Sequence, residues 1–454
     1  MATENDSLSD NGQPIKSKKK SKKARDPSSI TPEYIEEQRR LRNLKKSQKQ
    51  AESKPVEQIE TFIKRPLLPL PDVIDNGDGL KIKIMTYNIL AQALIRRTLF
   101  PTSGDALKWA TRSKTLLDEF KYYDADILCL QEVDYIQFNS FWSKEFAQLG
   151  YTSKYYRSNN KNHGLAIVFK SSMFECKNQS FINYDTETTK ALVQPSTSTQ
   201  NVGFIVHLSF TDSMTLKFPH LLNKNGIVIG STHLFWAPFG TFERTRQTYV
   251  LLYKFQEFIT TLNTVLANDK AKPTTYTGRV RTVLEASLAH YRGSRGVEEE
   301  TEESGVESID GEVPNPESSN VSEEEIRLIQ ELQVAHNSID MRAISLYSVG
   351  YKSVDPKNAG ADNDRNEPIF SNWAHTWRGL LDYILVLSKW NRDELKYSTK
   401  IDTLEELEKE QDIKLLSLLK LPMPEDMGPE PSGQPRLNQF PSDHLCLMAE
   451  VALL

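Results

Sequence analysis

The sequence predicts an α/β domain built as a four-layer sandwich, two packed mixed β-sheets flanked by helices. Three observations predict it: short apolar runs of strand length recur from Lys81 to the C-terminus, amphipathic helical stripes lie between them, and no segment repeats. Strands and helices that alternate irregularly fit two packed sheets covered by helices better than a barrel of repeated units.

Residues 1–78 are poor in aromatic and aliphatic side chains and rich in Lys, Ser, Glu and Pro. Such a segment buries too little apolar surface to offset chain entropy, so it reads as a disordered basic arm preceding a domain at 79–454. Within the arm, Ile15–Arg25 reads IKSKKKSKKAR. Lys16–Arg25 could bind an import receptor or contact RNA, or could be a solvated tail.

From Lys81 to Leu90, KIKIMTYNIL alternates polar and apolar residues as a half-buried strand does. Ala106–Tyr122 places Leu116, Leu117 and Phe120 on one helical face, and Asp126–Gln131 (DILCLQ) is a short apolar run typical of a strand buried on both sides. Similar runs recur at Gly164–Phe169, Val202–Leu208, Ile227–Ser231, Tyr383–Leu387 and Leu445–Leu453. Phe242–Ala267 spaces Leu251, Phe255, Phe258, Leu262 and Val265 as one helical stripe, which core packing explains. About 293–325 reads as a disordered acidic insertion, since Val297–Glu325 holds twelve acidic residues and no Lys or Arg. Asn391–Gln439 reads as a long excursion near one rim, with a charged helical portion at Leu404–Leu419.

The net charge of -5 conceals this basic-to-acidic asymmetry. The three cysteines, Cys129, Cys176 and Cys446, have neither disulfide-framework nor zinc-site spacing, so a reducing compartment is expected. No apolar run approaches the roughly 20 residues that span a bilayer, and an intracellular protein without a membrane partner is expected, in the nucleus, nucleolus or cytoplasm.

Isolated carboxylates, amides and imidazoles stand where the apolar runs end. Glu132 follows DILCL in LQEVD, Asn88 lies in MTYNIL, and His233 closes GIVIGSTHL. Asp382 enters RGLLDYILV, and Asp443 and His444 form PSDHL before the last run. Each alone could be an ordinary strand-end residue. Together they suit phosphodiester hydrolysis, in which magnesium takes one or two carboxylates and polarises a phosphate oxygen. Asp382 could accept from one ring nitrogen of His444 and fix its tautomer.

In the order MTYNIL, LQEVD, HGLAIVF, NVGFIV, STHLFW, LLDYI and PSDHL, the chain resembles the endonuclease/exonuclease/phosphatase superfamily, whose fold is DNase I-like. Within it, LAQALIRRTLFPTSGDALKW, ADILCLQEVD and SNWAHTWRGLLDYI resemble the deadenylase, nocturnin and Angel branch, and most closely the yeast Ngl RNA exonucleases. The resemblance implies that Glu132 is the principal Mg²⁺ ligand, with Mn²⁺ as a substitute, and that Asn88 and Asp443 lie beside the metal. It implies catalytic roles for His233, Asn201 and the Asp382–His444 pair, and a base-stacking position for Trp377, although strand-start and core-packing roles remain open for Asn201 and Trp377. It implies a 3′ to 5′ exoribonuclease acting on RNA 3′ ends, trimming ribosomal RNA, with poly(A) shortening as the alternative.

One element of that pattern is absent. Relatives carry Gly-Asp-Phe-Asn or Gly-Asp-Leu-Asn after the long helix, whereas Phe258–Pro273 reads FITTLNTVLANDKAKP. Either a gene model lacks a short segment, or this is a degenerate member that binds RNA and cleaves it slowly or not at all. Losing a nucleophile-orienting acid costs about 10²- to 10⁴-fold.

Overall fold

The structure is a computed structural model that describes residues 61–262, 323–389 and 401–454, apart from positions 72, 74–76, 78, 191–192, 225, 238–239, 362, 402, 412 and 429–432, together with Glu36 and Arg40. The chain divides after Ile59. In the first unit the two described residues are helical and exposed. The Lys16–Arg25 cluster, the segment where the missing motif would fall and most of the acidic insertion lie outside the described residues.

The larger sheet runs β1 (Leu67–Pro69), β13 (Ile413–Leu419), β14 (Leu447–Leu453), β2 (Leu80–Asn88), β3 (Ile127–Asp134), β5 (His163–Lys170) and β4 (Tyr151–Tyr156). Only β2 and β3 pair in parallel; the remaining pairs are antiparallel. The facing sheet holds β6 (Phe174–Asn183), β7 (Val202–Phe210) and β8 (Ile227–Thr232). Two further ribbons pair β9 (Met341–Ser345) with β12 (Leu385–Lys389), and β10 (Asn372–Ala374) with β11 (Trp377–Gly379).

Alternation along each strand explains the layers, because successive side chains leave opposite faces. Ile127 and Cys129 of β3 point into the core between the sheets with Phe204, Val206 and Leu208 of β7. Their neighbours Leu128 and Leu130 point outward, against Leu116, Leu117 and Phe120 of helix α1 (Trp109–Tyr123). Ile205 of β7 faces the opposite outer layer, formed by α2 (Thr241–Leu262) and α3 (Glu323–Asn337). The order helix, sheet, sheet, helix is the predicted four-layer sandwich.

Three boundaries differ from expectation. The domain includes residues before 79: Phe62 and Arg65 are buried, and β1 pairs with β13. Averaged over 78 residues, the polar composition hid the local apolar run FIKRPLLPLP. Leu404–Leu419 is not one helix, since the charged half forms a helix at Leu404–Gln411 and IKLLSLL forms β13, an interior strand between β1 and β14. Its apolar residues fill both faces, Leu415 and Leu418 between the sheets and Leu419 on the outer side. At the acidic insertion, helix α3 already begins at Glu323.

Candidate active site

Asn88 ends β2, Glu132 lies near the end of β3, and the parallel pairing of these strands brings both residues to one edge of the larger sheet. At Glu132 the β3–β5 ladder breaks between Leu130 and Val133, and the backbone turns to φ +55°. A left-handed conformation at a non-glycine residue costs energy and is held by its surroundings. Here those surroundings are donors: Asn88 Nδ2 donates to Glu132 Oε1 at 2.9 Å and the Ala91 amide to Oε2 at 3.0 Å. Burial by itself would raise the carboxyl, but His233, which is protonated over the acidic range where Glu132 titrates, the bonds from Asn88 and Ala91 and the His444 charge hold it down at about 2. Burial also holds His233 below its ordinary range, so at neutral pH this ring is uncharged. The 3.7 Å separation of His233 Nε2 from Glu132 is then no ion pair, and the two hydrogen bonds with His444 keep the carboxylate ionised.

His444 precedes β14 on the strand neighbouring β2. Its Nδ1 lies 2.8 Å from Asp382 Oδ2, and Asp382 is fixed in turn by a 2.7 Å bond from Ser371 Oγ. Burial works against charging His444, but attraction to Asp382, the hydrogen bond to it, and the Asp443 and Glu132 carboxylates push the ring up to about 9. The Asn88 amide nitrogen lies 3.3 Å from Nε2, a contact that asks Nε2 to accept rather than donate. That single long hydrogen bond is weaker than the pull of the surrounding carboxylates, and the imidazolium wins. In both states Asp382 fixes the proton on Nδ1, leaving Nε2 toward the cleft.

Asp443 is raised by burial and by the nearby Glu132, partly countered by His444. An ionised Glu132 beside a carboxyl whose ionisation is suppressed is a donor set that a divalent cation would relieve, and magnesium needs only one or two protein carboxylates. The described residues contain no cluster of three His, Cys, Asp or Glu fit to enclose a metal.

The family described as Endonuclease/Exonuclease/phosphatase matches residues 85–267. "RNA exonuclease NGL2" of Saccharomyces cerevisiae is 41% identical over 97% of this chain and 92% of that protein, and "Probable RNA exonuclease NGL3" of the same yeast is 34% identical over 86% and 82%. The chain belongs to the endonuclease/exonuclease/phosphatase family. The crystal structure of ANGEL2, described as a 2′,3′-cyclic phosphatase, covers 86% of this chain and 99% of its own with a TM-score of 0.53, at 20% identity, and supports the fold.

Beside this cluster, Asn201 stands just before β7, whose Gly203 pairs with Thr232 of β8, so Asn201 and His233 occupy neighbouring strand ends of the smaller sheet. Gln131 ties the sheets together directly beneath, donating to Ser231 Oγ at 3.1 Å and Thr86 Oγ1 at 3.2 Å. Trp377 opens β11 in a hairpin whose other strand forms a bridge from Asn372 to His444, and the Trp373 amide donates to the Asp443 carbonyl. The hairpin is thus fastened to the Asp443–His444 segment, with the Trp377 side chain half-buried.

Several contributors escaped the sequence reading. Arg112 of α1, 1% exposed, donates to the carbonyls of Ile89, Leu90 and Pro441, and so clamps the Asn88 loop to the His444 loop. Asp134 accepts from the amides of Gln92 and Ala93, shaping the turn that presents Ala91 to Glu132. Gln247 of α2, fully buried, accepts from the Phe235 amide and donates to Thr199 Oγ1, joining the loops that carry His233 and Asn201. Helix periodicity displays Arg112 and Gln247 only as polar positions inside amphipathic stripes, so their signal was a buried-face Arg or Gln where Leu was expected.

Proposed function

We propose that the chain is a magnesium-dependent 3′ to 5′ exoribonuclease that trims ribosomal RNA 3′ ends, with poly(A) shortening as the nearest alternative substrate. One observation carries the reading: Glu132, Asn88, His233, His444 and Asp382, spread over 356 positions of sequence, are linked at one cleft by contacts from Asn88 to His444 and from His233 to Glu132. The names of the yeast relatives support RNA as the substrate.

Magnesium, held by Glu132 with Asn88 and Asp443 beside it, would supply Lewis-acid polarisation of a phosphate oxygen and stabilise charge on the leaving group. His444, charged and aimed by Asp382, donates from Nε2 to a non-bridging oxygen as negative charge builds there. Uncharged His233, whose Nε2 lies 3.7 Å from Glu132, adds a second ring N–H at the same centre, and Asn201 lines the same edge. Trp377 offers a ring face to the terminal base. The basic Lys16–Arg25 arm adds sequence-independent attraction to RNA, or a contact for an import receptor, which fits action in the nucleus or nucleolus as well as the cytoplasm.

The missing Gly-Asp-Phe-Asn motif favours a second reading, an RNA-binding member that cleaves slowly or not at all. Incubating the full chain with 5′-labelled RNA and Mg²⁺ separates the two. A ladder shortening from the 3′ end, releasing nucleoside 5′-monophosphates and falling at least 10³-fold in Glu132→Ala, is the expected result. Salt-sensitive binding without products would establish the second reading, and an undiminished ladder in Glu132→Ala would remove the assigned metal ligand.

A further inference from the structure

Lys161 has no role in the reading above, yet it reaches the same edge of the cleft. Its Nζ lies 2.5 Å from Asn201 Oδ1. An ammonium only donates, so this contact fixes the Asn201 amide with its oxygen toward the lysine. Asn201 Nδ2 is left buried with no hydrogen-bond partner, and the residue is only 4% exposed. A buried amide donor without an acceptor is costly, and each such case calls for an explanation.

The lysine is equally short of counter-charge. Two carboxylates act on it electrostatically, Asp185 and Glu132. Asp185 is already saturated by its own turn, accepting from Thr199 N and Oγ1, Ser198 Oγ and Gln200 N. Glu132 is held by Asn88 and Ala91. Lys161 therefore leans on a neutral amide, half-buried, with the Glu132 charge and the His233 ring within electrostatic reach.

Both partners are built into fixed backbone. Arg157 donates to the carbonyls of Ser158, Asn159 and Lys161, and its guanidinium lies 4.5 Å over the Tyr135 ring. On the other side, Asp185 and Thr199 lace the turn that leads into Asn201, where Gln200 adopts φ +53°. A rigid cation beside a rigid orphan donor matches an anion with at least two acceptor oxygens.

We propose that Lys161 and Asn201 form a phosphate subsite flanking the Glu132 centre, binding a non-bridging oxygen of a phosphate ester through Nζ and Nδ2. The inference deepens the exoribonuclease reading and rests on it for the identity of that ester, either an internal phosphate of bound RNA or the phosphate of the released 5′-monophosphate.

The test measures binding of inorganic phosphate, 5′-AMP and an RNA oligonucleotide to the full chain in EDTA, alongside steady-state cleavage with Mg²⁺. Lys161→Gln keeps donors for Asn201 and removes the charge. It is expected to weaken binding by about 10- to 100-fold, the worth of a charge-assisted hydrogen bond, and to raise KM more than it lowers kcat. The log–log salt dependence of oligonucleotide binding should become shallower by about 0.7, one phosphate contact on a single strand. Lys161→Arg should stay within about threefold. Asn201→Asp, which places a carboxylate against the ammonium, should reproduce the loss even if Lys161→Gln folds poorly. A loss for all three probes assigns the subsite to the product phosphate, and a loss confined to the oligonucleotide assigns it to an internal phosphate. Unchanged binding of all three in both charge-altering variants overturns the proposal. Because binding is read without cleavage, wild-type protein that binds RNA but never shortens it would sink the exoribonuclease reading alone.

Discussion

Asp382 shows how much one buried carboxylate arranges. It accepts from Ser371 Oγ while lying 2.8 Å from His444 Nδ1, and Ser371 also accepts from the amides of Leu381 and Asp382. Orientation and tautomer of His444 are therefore set by one group, which also contributes most to holding the ring charged. Asp382→Asn preserves the shape but can present an N–H to Nδ1, forcing the wrong tautomer. Single-turnover cleavage should fall about 10²- to 10⁴-fold with the circular dichroism spectrum unchanged, and a fall under threefold would refute the pairing. At this scale PSDHL and LLDYI already marked the two residues, because a charged group beside an apolar run needs a partner. Arg112 and Gln247 gave no such mark: their importance lies in which backbone amides and carbonyls they meet, and those belong to remote segments.

The elements were readable where hydrophobic spacing is clean. Strands β2, β3, β5, β7, β8 and β14 fall within a few residues of the predicted runs, α1 buries its expected stripe, and α2 packs its Leu251, Phe255 and Phe258 into the core, while Val265 lies outside the described residues. Strand β13 was not, because LEELEKEQ runs into IKLLSLL without a Gly or Pro to separate helix from strand, and a run of seven fits either period. Its place between β1 and β14 now makes a stability claim. Leu418 is fully buried between the sheets, so Leu418→Ala should cost about 2–5 kcal/mol in urea unfolding, whereas a surface helix position would cost less than about 1. The small strands β10 and β11 were invisible for another reason: three residues carry no period, and the hairpin exists because it bonds to the Asp443–His444 segment.

Across the whole molecule, the most unusual chemistry away from the cleft is the buried cluster behind β2 and β14. Arg65, from the segment expected to be a disordered arm, donates to Cys446 and the carbonyls of Cys446 and Lys420, while Tyr87 donates to Glu119 of α1. Burial raises Glu119 from 4.5 to about 7 against the pull of Arg65 and the Tyr87 bond. For an acid raised in the folded state, the fold binds more protons than the unfolded chain above pH 4.5, so stability falls as pH climbs from there toward 7 and levels off beyond. The shift corresponds to about 3 kcal/mol. Glu119→Gln removes the titration, and urea midpoints at pH 5, 6, 7 and 8 should show wild type losing ground to the variant between pH 5 and 7 and little more by pH 8. Parallel pH profiles for the two proteins would mean that Glu119 stays ionised in the fold.

By itself, the sequence determined the fold class, the strands with clean hydrophobic spacing and the chemical identity of the strand-end residues, because burial patterns are local and a lone carboxylate or imidazole beside an apolar run stands out. Only the tertiary structure decided which of these residues meet, that residues 62–69 and β13 complete the larger sheet, and that Lys161 faces Asn201. Pairing across sheets and turns depends on backbone direction and distance, which residues separated by tens to hundreds of positions do not encode in any local pattern.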